Sequence, residues 1–164
     1  MRIAVIDSTP LISLAHLALA NKLSLYFDVI YVPSMVQSEV NRKHRFRYHL
    51  RKLYKTGFFV RCASVDRSSV ELLRVELGEG EAEALIQAQE KKAVYFIGDE
   101  KRAREIGAGM GLRPVGTVQI LARLHREDQA EETAGLVRKL RRDIAFRVTD
   151  EIVKLAIARA VEPI

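Results

Sequence analysis

One pattern restricts this chain more than any other: a short apolar run ends on an acid that opens a helix, and it occurs twice. Residues 3–6 read Ile-Ala-Val-Ile and stop at Asp7, while residues 93–97 read Ala-Val-Tyr-Phe-Ile and lead through Gly98 to Asp99. Nearly continuous apolar runs of this length suit strands buried on both faces, as inside a parallel sheet. Ser8-Thr9-Pro10 then offers hydroxyls ahead of residues 11–19, a helix start with proline expected at the first helical position. Further short runs at 28–32, 58–62 and 113–115 supply three more strands. Helices are expected from Pro33 and Ser34 on towards Gly57, over 65–77, over 81–91, from Asp99, and from Thr117 to about 126. Gly78-Glu79-Gly80 reads as a break between two of them, and the last third is helical in pattern. Such alternation specifies an α/β fold with a mostly parallel sheet and helices on both faces. At 164 residues the expectation is a single domain spanning 1–164.

Composition excludes several classes of chemistry. A single cysteine, Cys62, rules out an intramolecular disulfide and any thiolate cluster for zinc or iron–sulfur. His16, His44, His49 and His125 show no metal-ligand spacing. The apolar runs fall far short of the ~20 residues that cross a bilayer, so no membrane span is expected. Asp7 interrupts the first run before a secretory h-region could form, and a cytoplasmic protein is expected. Charge is concentrated rather than general. Residues 42–55 carry seven Lys or Arg and no acid, whereas the other 20 basic residues nearly balance 21 acids, so the formal excess of +6 lies in this window. It reads as a docking surface for something anionic. Arg47, Arg51 and Lys55 recur every four residues as a stripe, with Phe46, Leu50 and Leu53 expected to face the core. Tyr48 and Tyr54 can either stack on bases or anchor the helix.

Helical spacing separates ordinary acids from unusual ones. Glu39 follows Met35 and Val36 by four and three residues, and Glu81 precedes Ala84, Leu85 and Ala88 by three, four and seven. Both therefore share an apolar face. Glu79, Glu83, Gln87 and Glu90 form the other stripe, expected in solvent. A carboxylate aimed inward needs a cation, a metal or several donors. With Asp7 and Asp99 at the carboxyl edge of the sheet, where open α/β sheets bind ligands, these four acids suit a hard divalent ion held by oxygen, Mg²⁺ or Mn²⁺. The structural alternative is that the aspartates cap helices and the glutamates pair with arginine.

Four motifs in order carry a resemblance over residues 1–126. They are Asp7-Ser8-Thr9-Pro10-Leu11-Ile12, then residues 32–40 with Pro33 leading to Glu39, then Leu77-Gly78-Glu79-Gly80-Glu81-Ala82-Glu83-Ala84, then residues 97–104 around Asp99. Residues 111–121, with Gly116-Thr117, add to them. The chain resembles PIN-domain proteins, the nuclease family that includes the toxins of VapBC toxin–antitoxin modules. The resemblance implies a three-layer α/β/α sandwich and metal-dependent hydrolysis of RNA phosphodiesters, using Mg²⁺ or Mn²⁺. It implies Asp7 and Asp99 as principal metal ligands, Glu39 and Glu81 completing the shell, and Ser8, Thr9 and Thr117 as supporting hydroxyls. It also implies RNA, an antitoxin and a second copy of the chain as partners; the stripe of Arg47, Arg51 and Lys55, from its own charge and spacing, is the expected RNA-docking face. This chain has Glu81 where many relatives have Asp, and Glu100 where a second Asp often follows the fourth acid.

Rival readings differ in what they need. A phosphoryl-transfer enzyme with Asp7 as nucleophile lacks the second acid two residues on. A nucleotide-binding module lacks a Walker sequence, and its glycines do not follow a strand. A non-catalytic RNA- or protein-binding module, with the acids structural, is the main alternative, and metal binding discriminates it.

Overall fold

A computed structural model describes residues 1–43, 47–63, 66–125 and 130–160. They divide into two compact units, Met1–Val115 and Gly116–Ile164. The first holds a sheet of five strands: β1 (Ile3–Ile6), β2 (Val29–Pro33), β3 (Phe59–Cys62), β4 (Tyr95–Ile97) and β5 (Arg113–Val115). Every neighbouring pair is parallel, in the order β3-β2-β1-β4-β5. Helices surround it: α1 (Ser8–His16), α2 (Ser34–Arg42), α3 (Arg47–Lys55), α4 (Arg67–Leu73), α5 (Glu79–Glu90) and α6 (Lys101–Gly109), with a 3-10 turn over Ala20–Leu25. This is the expected α/β sandwich. Ala4, Val5, Ile6, Phe96 and Ile97 are fully buried, as strands in the middle of a covered sheet must be.

Several boundaries differ from expectation, each for a local reason. Helix α1 opens at Ser8, so Pro10 stands in its first turn rather than at its first position, still where a missing N–H is harmless. The single helix expected from Ser34 towards Gly57 is two. Lys43 leaves helical geometry (φ −89°, ψ 81°) and closes α2 there. Phe46 lies outside the described residues, as do the side chains of Arg47 and Leu50. Gly57 then turns the chain into β3 with φ +73°, a conformation L side chains rarely adopt. Helix α4 is capped by Asp66, which accepts from the Ser69 N–H at 3.0 Å. The start expected at Val65 lies outside the described residues. Gly78-Glu79-Gly80 is the beginning of α5 and not a break, with Gly78 at its N-cap. Ala93 and Val94 precede β4 rather than belonging to it.

Helix α5 packs on β1, β2 and β4 and against α2, α4 and α6. Its residues Ala82, Glu83, Ala84, Leu85, Ile86, Gln87 and Ala88 are all buried. The second unit contains α7 (Thr117–Leu124), α8 (Ala130–Ile144) and α9 (Asp150–Ala158), with α7 packed on both others. The end of α7 expected near Arg126 lies outside the described residues. No helix among the described residues is long and apolar enough to cross a membrane.

Candidate functional site

Strand order reverses at β1. The chain leaves β1 for β2 and β3 on one side, then returns to place β4 and β5 on the other. Crevices outside the carboxyl ends of strands at such a switch point are where open α/β sheets bind ligands. Ile6 is in register with Ile97 across it, and the Asp7 N–H donates to the Ile97 carbonyl at 2.9 Å. Asp7 and Asp99 therefore leave neighbouring strands at the same edge.

Asp7 is 4% exposed. It occupies the N-cap position of α1 with no side-chain cap bond. Burial pushes its carboxyl up to about 7; the Ser8 N–H opposes that shift, and Glu81, Glu39 and Asp99 add to it in that order. All three other acids are thus near enough to be felt at Asp7. Ser8 is half-buried beside it and Thr9 is exposed.

Glu39 reaches this neighbourhood from α2 and Glu81 from α5. Glu81 is half-buried, at the third position of its helix, and its carboxylate accepts from the Gly78 N–H at 2.9 Å. Burial raises its pKa first; Gly78 lowers it; Glu100 and Glu39 raise it further. The Glu39 carboxylate lies directly against Gly80: a Cβ there would come within 2.8 Å of Glu39 Oε1. A larger residue there would have to push that carboxylate aside, so a glycine in the first turn of a helix that otherwise favours alanine leaves Glu39 in place.

Asp99 is half-buried, two residues beyond β4. The expected helix start at Asp99 is displaced by one residue. Glu100 is the N-cap of α6, accepting from the Ala103 N–H at 2.8 Å. Glu83 is the clearest correction. Spacing predicts solvent for it and for Gln87, yet both are fully buried. Glu83 Oε1 accepts from Ser34 Oγ and Oε2 from the Met35 N–H, each at 2.7 Å. Spacing shows which residues share a face but not how many faces are covered. The signal that could have found Glu83 is the run of small alanines on every side of it, the mark of a helix packed all round.

On α3, Arg51 and Lys55 are exposed. Tyr48 is 64% exposed with the Lys52 ammonium 4.7 Å above its ring, whereas Tyr54 is half-buried beneath the Arg61 guanidinium at 4.2 Å. Thr117 opens α7 in the second unit and is fully buried.

A family model described as DUF3368, a PIN domain, matches residues 3–162. The chain belongs to the PIN-domain family. No curated protein and no solved structure matches it significantly. PIN domains are in general nucleases, and typically use divalent metal ions. In this PIN domain the acids around Asp7 bring only hard oxygen donors, the set Mg²⁺ and Mn²⁺ prefer and zinc does not need. Among the described residues, however, no three His, Cys, Asp or Glu side chains stand close enough together to hold a metal ion unaided.

Proposed function

We propose that this PIN domain is a Mg²⁺- or Mn²⁺-dependent endoribonuclease whose centre is Asp7, with Asp99, Glu39 and Glu81 around it. The observation that carries this is the field at Asp7, a buried strand-end carboxyl pushed up to about 7 by burial and then by those same three acids. Such an arrangement destabilises the folded chain unless a cation offsets it. Asp7 and Asp99 would hold the ion, with Glu39 and Glu81 completing its shell. An ion there would supply positive charge to a phosphodiester and a stronger nucleophile from water. The protein's own part is to hold four carboxylates on two helices and two strand ends at one edge of the sheet, to keep Asp7 away from bulk water, and to leave Ser8 and Thr9 beside it as hydroxyl donors.

RNA is the proposed substrate, with the exposed Arg51 and Lys55 of α3, and Arg47, holding its phosphates. Removing one phosphate-binding cation should lower the slope of log affinity against log salt by roughly 0.7 for a single strand. An Arg51→Ala/Lys55→Ala variant that binds RNA with an unchanged slope would assign the helix to something else. We extend the resemblance to the PIN family, which includes toxins, to a toxin role for this chain, with an antitoxin and a second copy of the chain as partners. The lack of a preformed metal group among the described residues favours a second reading, a non-catalytic RNA- or protein-binding module. Cleavage of a mixed RNA pool with Mn²⁺, and its loss with EDTA, decides between them; an inert protein that ignores both fits only the second.

A further inference from the structure

Glu83 is a charged side chain buried completely in the middle of a helix packed on all sides. Both its oxygens are engaged by the first two residues of α2, Ser34 and Met35. Helix α2 needs such a partner. Its N-cap position is Pro33, which gives no side-chain cap, so the opening N–H groups of the helix have no local acceptor. A carboxylate from α5 fills that role across space, and its charge meets the positive end of the α2 dipole. The same two helices meet a second time where the Glu39 carboxylate rests on Gly80. Gly80, Glu81 and Glu83 all fall within the first turn and a half of α5, and Ser34 to Glu39 within the first two turns of α2. Two contacts along one line fix translation as well as distance.

We propose that Glu83 is a positioning residue: by capping α2 from α5 it sets the register between the two helices, and with it the separation of the Glu39 and Glu81 carboxylates. The register itself follows from the contacts; its consequence for a metal ion rests on the nuclease reading above. Partners that orient ligands from outside the shell typically change metal affinity 10–100-fold when removed.

The test uses the full chain and two readouts, amide hydrogen exchange and Mn²⁺ affinity, with folding confirmed by circular dichroism. In Glu83→Ala, exchange in α2 should accelerate roughly tenfold or more relative to α1, and Mn²⁺ binding should weaken about 10–100-fold. Glu83→Gln should restore both to near wild type, because its amide can accept from Met35 and donate to the Ser34 hydroxyl. A residue that only stabilises the fold would speed exchange in α1 and α2 alike and leave Mn²⁺ affinity of the folded protein unmoved. Either of those results in Glu83→Ala overturns the proposal. Should Glu83→Ala fail to fold, Ser34→Ala removes one of the two bonds and should loosen α2 selectively; uniform exchange in that variant overturns the proposal equally. A wild-type chain that binds no Mn²⁺, while Glu83→Ala still loosens α2 alone, would sink the nuclease reading and leave the register role standing.

Discussion

At the carboxyl end of β1 the strand runs straight into Asp7, which is almost wholly buried and takes the N-cap position of α1 without capping it through its side chain. At the carboxyl end of β4, Gly98 intervenes, Asp99 is half-buried, and the next residue, Glu100, caps α6. The two junctions share a plan of strand, acid and helix. They differ in who serves the helix and in how much water reaches the acid. The β4 junction separates the capping role from the strand-end aspartate by adding a second acid, which gives Glu100 a structural use. The β1 junction leaves the opening of α1 without a side-chain cap and puts its aspartate out of water. Desolvation is therefore what makes Asp7 the acid with its pKa pushed up to about 7, and the field of its neighbours comes second.

The sharpest way to break this comparison is to neutralise each acid in turn. Asp7→Asn and Asp99→Asn should each reduce RNA cleavage by more than ~100-fold, since both would be direct ligands; full activity in either removes that junction from the site. Stability should then separate them. Between its ordinary value of 3.8 and about 7, Asp7 is protonated in the folded chain and ionised in the unfolded one. The folded state binds more protons there, so stability falls as pH rises through that window and stays low above it. Asp7→Asn should accordingly be more stable than wild type at pH 8, by on the order of 2–4 kcal/mol, with no gain at pH 3. Thermal melts at the two pH values check this, and an equal shift at both would show that burial does not govern the Asp7 carboxyl. Asp99→Asn should show the smaller change at pH 8.

Mn²⁺ at about 100 times its dissociation constant should stabilise the wild type by ~2.7 kcal/mol. At one fixed Mn²⁺ concentration the effect should be larger at pH 8 than at pH 6, because Asp7 must release its proton for the ion to bind. A melting temperature indifferent to Mn²⁺ at both pH values would favour the non-catalytic module. The smallest expected effect belongs to the cap. Glu100→Ala should lower stability by about 1 kcal/mol, a few degrees in melting temperature, while leaving Mn²⁺ affinity near that of the wild type. A larger loss of metal affinity than of stability would place Glu100 among the ligands and erase the distinction between the junctions.

Much of the fold is legible in the sequence because its strands are short and buried on both faces. The runs at 3–6 and 93–97 mark β1 and β4, and the turn residues beyond them mark which end of the sheet carries acids. What cannot be read is anything set by a neighbour distant in sequence. Gly80 reads as punctuation, yet it lies inside α5, with the Glu39 carboxylate beside the place a side chain would take. Glu83 reads as solvated because periodicity assigns faces and says nothing of a helix covered on every face. The break after Arg42 is hidden because helix propensity rates arginine and lysine well and nothing local marks a stop. Among the acids, the placement of Asp7 at a strand end follows from local pattern, whereas the three-way field upon it is a product of topology.

The pairing of β1 with β4 joins residues about 90 positions apart, and it is this pairing that lays Asp7 beside the turn carrying Asp99. A ribosome makes the chain from its amino terminus at roughly 5–20 residues per second. Asp7 therefore emerges seconds before the strand that completes its edge, and non-local pairings of this reach are slow to form. β1 and β2 can associate early, but the switch-point crevice cannot exist on any nascent chain that has not yet exposed Ile97. An incomplete translation product, released or stalled before that point, carries the first acid without the architecture that gives it chemical meaning.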